Sequence, residues 1–405
     1  MLRLLKCCAD GTGEHLLFRK PCKIDDGTRC GGLGYGVQSW VSSGKKIVKE
    51  NIMMKNVLNT RVLALGMAVM AGNAMASDVV VESKNPILGT VTKDADQFVT
   101  LTSENDKFFG NSDRHYTNGA QINYTKIHDK PEGWVNWVGE KLPFLDIEGP
   151  VATSYSIGQQ IFTPDHAERP FAQPGDQPFS GFLYGKVGFT NFKPEHTDTY
   201  ELTLGMVGPS AQGEYVQKTY HEAFDYYKPL GWDYYQLNDE PIVNLSFLRR
   251  HPGVAAYEGT TFGQDWFVDA TPHYGFAVGN AYDYANVGGV VRFGPASARN
   301  MDVPGMTVPG QGGTAYFAKT PNWFDWYLFA GVDGRLVARN IFLDGNTWQN
   351  SPHVDKEILV GNLTTGLAIV TGDFKTSLTV NQETKTFKTQ GANDVYGAIN
   401  VSYRF

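Results

Sequence analysis

Beyond Cys30 the sequence contains no cysteine, so neither a disulfide nor a thiolate metal centre is available to the rest of the chain. The four that exist are Cys7, Cys8, Cys22 and Cys30, and their spacing makes no clean paired zinc pattern. After Ser77 no apolar stretch approaches the roughly 18 residues that a transmembrane helix needs. Positive charge is also scarce. Lys and Arg total 35 against 42 Asp and Glu, a formal net charge of -7, which excludes a nucleic-acid binder driven by phosphate contacts. No G-x-S-x-G stands in a strand-turn-helix context, and no H-E-x-x-H occurs, so the familiar soluble hydrolase and zinc motifs are missing. What is plentiful is glycine (45) and aromatic residues (24 Phe, 20 Tyr and 8 Trp). A membrane β-barrel uses glycine in turns and aromatics in its interfacial girdles, although a soluble enzyme could share this composition.

Met54 opens a secretory leader. Lys55 and Arg61 supply positive charge, 62–71 is apolar, and Ala74-Met75-Ala76 presents small residues either side of Met75 before Ser77. Cleavage is expected after Ala76. The apolar run is too short to remain as a membrane span. A leader belongs at an N-terminus, so residues 1–53 read as an upstream extension from a start assigned too early. The expected organisation is therefore extension 1–53, leader 54–76 and a single barrel domain 77–405, which cleavage would free of all four cysteines.

Within 77–405 the recurring signal is alternation with period two. At the C-terminus Val395, Gly397, Ile399, Val401, Tyr403 and Phe405 fall on one face, and Tyr396, Ala398, Asn400, Ser402 and Arg404 on the other. A chain that ends in Phe on an amphipathic strand resembles bacterial outer-membrane barrels. The pattern predicts strands near 96–104, 115–126, 153–162, 179–190, 197–208, 241–250, 258–279, 281–294, 323–337, 356–371, 373–383 and 394–405. That is an all-β fold, a transmembrane antiparallel barrel of about twelve strands with short helices in its loops. Closure satisfies every backbone group, which an open sheet in lipid could not do. Trp134, Trp137, Val138 and Leu142 follow helical spacing and predict a short interfacial helix over 131–143. With the first strand running outward, the loops near 105–114, 163–178 and 209–240 share the extracellular end. The connections 127–152 and 295–322 are long for periplasmic turns.

Two of those outward loops are chemically dense. Residues 104–119, ENDKFFGNSDRHYTNG, gather oxygen ligands suited to a hard cation such as calcium, or equally to a solvated loop with Asx turns. Their spacing is not that of an EF-hand. Thr117 falls on the polar, lumen-side face of its predicted strand. In 213–224, GEYVQKTYHEAF, a short helix would put Gln217 and His221 on one face. A neutral imidazole there could deprotonate water, or the histidine could be inert.

At these residues the sequence resembles the LpxR family of outer-membrane lipid A 3′-O-deacylases. The likeness runs through 104–119, 159–184, 213–224, 229–241 and 271–294. It implies a twelve-stranded barrel in the bacterial outer membrane, with a calcium-dependent ester hydrolase site at the outer-leaflet end and lipid A of lipopolysaccharide as substrate. It further implies that Asn105, Asp106, Thr117, Gln217 and His221 form the site. His221 would be the base, calcium would be held near Asn105 and Asp106, and Thr117 and Gln217 would orient groups. The sequence departs from the family at Gly175-Asp176-Gln177-Pro178, where many relatives carry Arg before Pro. Arg169 and Lys186 are then the candidates for lipid A phosphates, or ordinary rim charges. A monomer is expected. The competing readings are a phospholipase-like outer-membrane hydrolase and a non-catalytic porin or surface-binding barrel.

Overall fold

The computed structural model describes residues 85, 97–109, 114–261, 263–301, 316–317 and 322–405. The extension 1–53 and the leader 54–76 lie outside the described residues. Burial runs opposite to that of a soluble protein. Leu101, Ile122, Ile157, Leu204, Val243, Leu245, Val278, Val287 and Val332 are exposed, while Thr102, Gln121, Lys186, Asn244, Asp269, Arg292, Asp333, Arg335 and Glu383 are buried. That inversion is the signature of strands with an apolar outer wall and a polar interior.

Among the described residues thirteen strands form one antiparallel sheet. They are β1 (Gln97–Asn105), β2 (His115–His128), β3 (Val151–Thr163), β4 (Ser180–Phe192), β5 (Thr197–Val207), β6 (Glu240–Arg250), β7 (Ala255–Thr261), β8 (Gln264–Gly279), β9 (Tyr282–Pro295), β10 (Phe324–Asn340), β11 (Leu359–Thr371), β12 (Phe374–Glu383) and β13 (Asp394–Arg404). Twelve close the ring. β1 pairs with β13, and β6 pairs with the second half of β8, as Asn244 opposite Gly279 shows. β7 continues the line of β6 along the first half of β8. The single strand expected over 258–279 is therefore a hairpin, turned beside Gly263, whose φ of +76° suits glycine. The terminal residue completes the seam. Phe405 exchanges backbone hydrogen bonds with Gln97 at 3.0 and 3.3 Å.

The strand ends that lead into and out of the connections after β1, β3, β5, β8, β10 and β12 gather at one end, called the mouth below; the barrel termini lie at the other. Long and short connections do not segregate cleanly. The mouth holds a tight turn at 280–281, and the terminal end carries 129–150 and 296–323. Helix α1 (Gly133–Lys141) sits in the first of these. It docks through Val135 against Val151 and Phe189, and leaves Trp137 59% exposed.

The lumen is filled. At the terminal end Ala298, Met301, Tyr316 and Phe317, from the β9–β10 connection, pack among Phe98, Phe192, Phe267, Tyr327 and Phe329. At the mouth, short helix α3 (Ile341–Asp344) inserts Phe342 against Phe162 (centroids 4.0 Å apart), Tyr282 and Phe182. Aromatic pairs of this kind contribute about 0.5–1.5 kcal/mol each beyond area burial. Between the two plugs lies a polar layer. In it Arg292 pairs with Asp269, Arg335 with Glu383, and His273 meets Asp333 at 2.8 Å.

Candidate active site

The site residues converge on the outer wall of the barrel, at the mouth. Asn105, Asn118 and Ile161 are direct cross-strand partners on β1, β2 and β3. They share the parity of exposed Leu101, Ala120 and Ile157, so they face outward. Helix α2 (Gly213–Ala223) lies against this wall with Gly213, Gln217 and His221 buried, one residue per turn along a single face. Two glycines set that contact. A Cβ on Gly181 of β4 would lie 2.8 Å from the Gly213 nitrogen, and one on Gly213 would lie 2.8 Å from the Gly181 Cα. Gln159 of β3 donates to the Ala211 carbonyl just before the helix.

Between wall and helix is a cleft of about 40 Å³ lined by Asn105, Lys107, Thr117, Ile161, Gln217 and His221. That volume holds two or three waters but no acyl chain. Any long substrate therefore runs along the wall outside it.

Thr117 reaches this cleft through a β-bulge. The β2–β3 register slips between Tyr116 and Asn118, leaving Thr117 as the extra residue. Tyr116 turns into the barrel, where it donates to Glu104, and Thr117 lines the outer cleft with its hydroxyl 2.7 Å from that of Thr163. The lumen-side position expected from simple alternation is thus corrected.

The polar groups have fixed roles. His221 Nδ1 lies 2.7 Å from the Tyr227 carbonyl, which can only accept. Nδ1 therefore carries the proton, and Nε2 is the lone-pair nitrogen. The rings of Tyr226 and Tyr227 meet His221 edge-on, at 5.6 and 4.9 Å. Asn105 Oδ1 accepts from Lys107 N and Asp106 Oδ2 from Arg114 N, both at 2.8 Å. Asp106 braces the neck of the β1–β2 loop and does not itself line the cleft. Asn105, Asp106 and Thr117 form an oxygen-only donor set, the chemistry of a hard cation. Among the described residues no three His, Cys, Asp or Glu side chains converge as a metal cluster. These oxygens are of the type a hard cation such as calcium takes, with a single carboxylate among them and Asp106 standing outside the cleft lining.

A family model described as "Outer membrane protein LpxR" matches residues 62–405. The chain belongs to the LpxR family. In structure it is similar to LpxR from Salmonella typhimurium, with a TM-score of 0.60 at 21% identity over 76% of this chain and 100% of that one. It is also similar to the β domain of the Bordetella autotransporter BrkA (TM-score 0.37, 10% identity, 77% and 98% covered). No curated protein sequence matches it significantly. As an LpxR-family chain it is an outer-membrane barrel protein, and the exposed apolar belt of its outer wall is the lipid-facing surface.

Of the residues expected from sequence, Asn105, Thr117, Gln217 and His221 share this cleft. Arg169 lies elsewhere at the mouth, in a separate hollow with Arg114, His166 and Asp176. Lys186 is not near either. It stands six residues down β4 from Ser180, about 20 Å of strand, where it faces the lumen and meets Glu201 at 3.3 Å. Its place as a phosphate ligand is corrected by that geometry: a mid-strand inward residue cannot reach the mouth. Three contributors escaped the sequence reading. Lys107 lines the cleft and rests its ammonium 3.7 Å from the Tyr226 ring centroid, Thr163 backs Thr117, and Trp232 holds Gln217. Lys107 and Trp232 both sit inside the segments ENDK and GWDYY, so proximity to the motif was the available signal.

Proposed function

We propose that this chain is a lipid A 3′-O-deacylase: an outer-membrane esterase that hydrolyses the ester holding the 3′-acyloxyacyl chain, with its cleft opening to the outer leaflet. The observation that carries the reading is a histidine with a fixed tautomer, in a water-sized cleft, on the outer rather than the inner face of a membrane barrel. A substrate whose acyl chain already lies along that wall presents its ester beside the cleft without leaving the membrane.

His221 Nε2 takes a proton from water, and the resulting hydroxide adds to the ester carbonyl. The tetrahedral species collapses by expelling the sugar 3′ oxygen, which receives the proton from His221, leaving a free fatty acid and a 3′-hydroxyl. Asn105 and Thr117 orient groups around the water, and the Tyr227 carbonyl keeps the imidazole aimed through both proton transfers. Calcium, when bound near Asn105 and Asp106, supplies positive charge to the ester carbonyl. The filled lumen speaks against a porin, while the phospholipase reading shares the same chemistry and differs only in the lipid.

Mass spectrometry of lipid A from cells expressing the chain with calcium tests this. Loss of the 3′-acyloxyacyl group is expected, and His221→Ala should slow it at least about 100-fold. Deacylation that persists in His221→Ala removes the mechanism. Fatty acid released from phospholipid, with lipid A intact, assigns the second substrate instead.

A further inference from the structure

One buried donor in the cleft has no acceptor. Gln217 is 3% exposed, and its Nε2 has no hydrogen-bond partner among the described residues. An unsatisfied buried N–H typically costs 1–3 kcal/mol, so a helix that keeps one facing a cleft has a group there to meet it. The orientation of the amide is not ambiguous. Trp232 Nε1 stands 2.7 Å from Gln217 Oε1, and an indole nitrogen can only donate. The near atom of the amide must be oxygen, which leaves Nε2 beside the cleft with both N–H bonds lacking an acceptor among the described residues. Trp232 itself is locked. It is 1% exposed, packs on Phe179 at 4.9 Å, and closes on the glycine contact between α2 and β4, where a Cβ on Gly213 would lie 2.9 Å from its ring.

We infer that Gln217 Nε2 is an oxyanion donor of the reaction, acting beside any bound cation, and that Trp232 is the positioning residue that holds it in that role. Gln217 stands one helical turn before His221 on the same buried face of α2, so base and donor flank the same small space. A donor fixed before the reaction stabilises the developing charge without reorganising, which is where most of the benefit of such groups lies. Without the indole N–H, the amide can rotate half a turn and present Oε1, a repulsive partner for an oxyanion.

This assignment rests on the hydrolase reading, and the experiment separates the two. Steady-state hydrolysis of 3′-acylated lipid A by the full-length protein in detergent is compared for wild type, Gln217→Glu and Trp232→Phe. Binding of a phosphonate mimic of the tetrahedral species and of an uncleavable ether analogue is measured in parallel. Gln217→Glu keeps an acceptor for Trp232 and the side-chain shape, and should lower kcat about 100-fold or more with KM nearly constant. Trp232→Phe should lower kcat about tenfold, weaken the phosphonate by a similar factor and leave ether binding unchanged. Wild-type kcat in Gln217→Glu overturns the inference. So does loss of phosphonate and ether binding in equal measure, which would mark Trp232 as packing only. If wild type cleaves no 3′ ester, the hydrolase reading fails first, while phosphonate binding still tests the amide.

Discussion

His221 and Gln217 share a device: each has an ambiguous polar end fixed by a partner able to play a single part, a carbonyl for the imidazole and an indole N–H for the amide. Asp106 plays two parts. Its Oδ2 holds the Arg114 amide, and its charge is the carboxylate beside Asn105. Asp106→Asn retains the amide acceptor and removes the charge. If that charge serves a cation, the calcium concentration for half-maximal hydrolysis rises at least about tenfold, while the folded barrel survives. On the same reading, chelation should silence the wild type. An unchanged calcium curve in Asp106→Asn places the metal elsewhere. At this scale the sequence picked out residues that the fold gathers, but misjudged direction. The loop motifs singled out Asn105, Gln217 and His221, all of which line the cleft. Thr117 was assigned the wrong wall because one extra residue in a strand reverses the alternation, and nothing in the residue types of HYTNG marks the bulge.

At the scale of elements, the site exists because a helix can lie almost in van der Waals contact with a strand. Gly181→Ala should push α2 outward by forcing its new Cβ against the Gly213 backbone. Overpacking of this sort costs about 1–3 kcal/mol, too little to unfold a barrel but enough to separate His221 from Asn105. Activity should fall more than tenfold, with the heat-modifiable gel shift of the folded barrel retained. Full activity in Gly181→Ala would show that the helix tolerates displacement. The loop 164–179 is moored differently. Asp176 accepts from the backbone of Asp165 (2.8 Å) and Gln177 (2.7 Å), and its carboxylate stands 3.4 Å from His115, which also reaches Asp394. Burial alone pushes the Asp176 carboxyl up, but the His115 bond and the two amides outweigh it and hold the group below the usual carboxylate range. Stabilisation from a depressed carboxylate is complete above its unfolded value, near 3.9, and is lost as pH falls through the lower folded value. The thermal midpoint of the wild type should therefore drop more steeply below about pH 4 than that of Asp176→Asn. Parallel curves would detach the loop from this carboxylate. Strand positions were legible apart from the β7–β8 hairpin, which read as one strand, since alternation is local. The docking of α2 was not, because it depends on Gly181 and Gly213 meeting across 32 residues of chain.

For the molecule as a whole, the question is whether twelve strands enclose a channel. A ring of that size has room for water if its interior is left open. Here both ends are stopped by the chain's own connections: Phe342 of α3 wedged among Phe162, Phe182 and Tyr282 at the mouth, and Tyr316 and Phe317 among Phe98 and Phe192 at the far end. The polar layer between them is cross-linked, with Arg250 bonded to Tyr316 and Arg292 to Asp269 as well as to the backbone of Met301 and Arg299. Such a barrel is a plugged post that carries the His221 cleft on its outer wall. In planar bilayers it should show no steady single-channel conductance. Phe342→Ala, which loosens the mouth alone, should remain closed, because the second plug and the ion pairs stay in place. Hydrolysis should fall little in that variant, since Phe342 lies on the opposite side of the wall from His221. Porin-like conductance steps from the wild type would show that the connections leave the lumen in a membrane. Conductance confined to Phe342→Ala would show that the mouth plug alone is the seal and that the lower cluster transmits water.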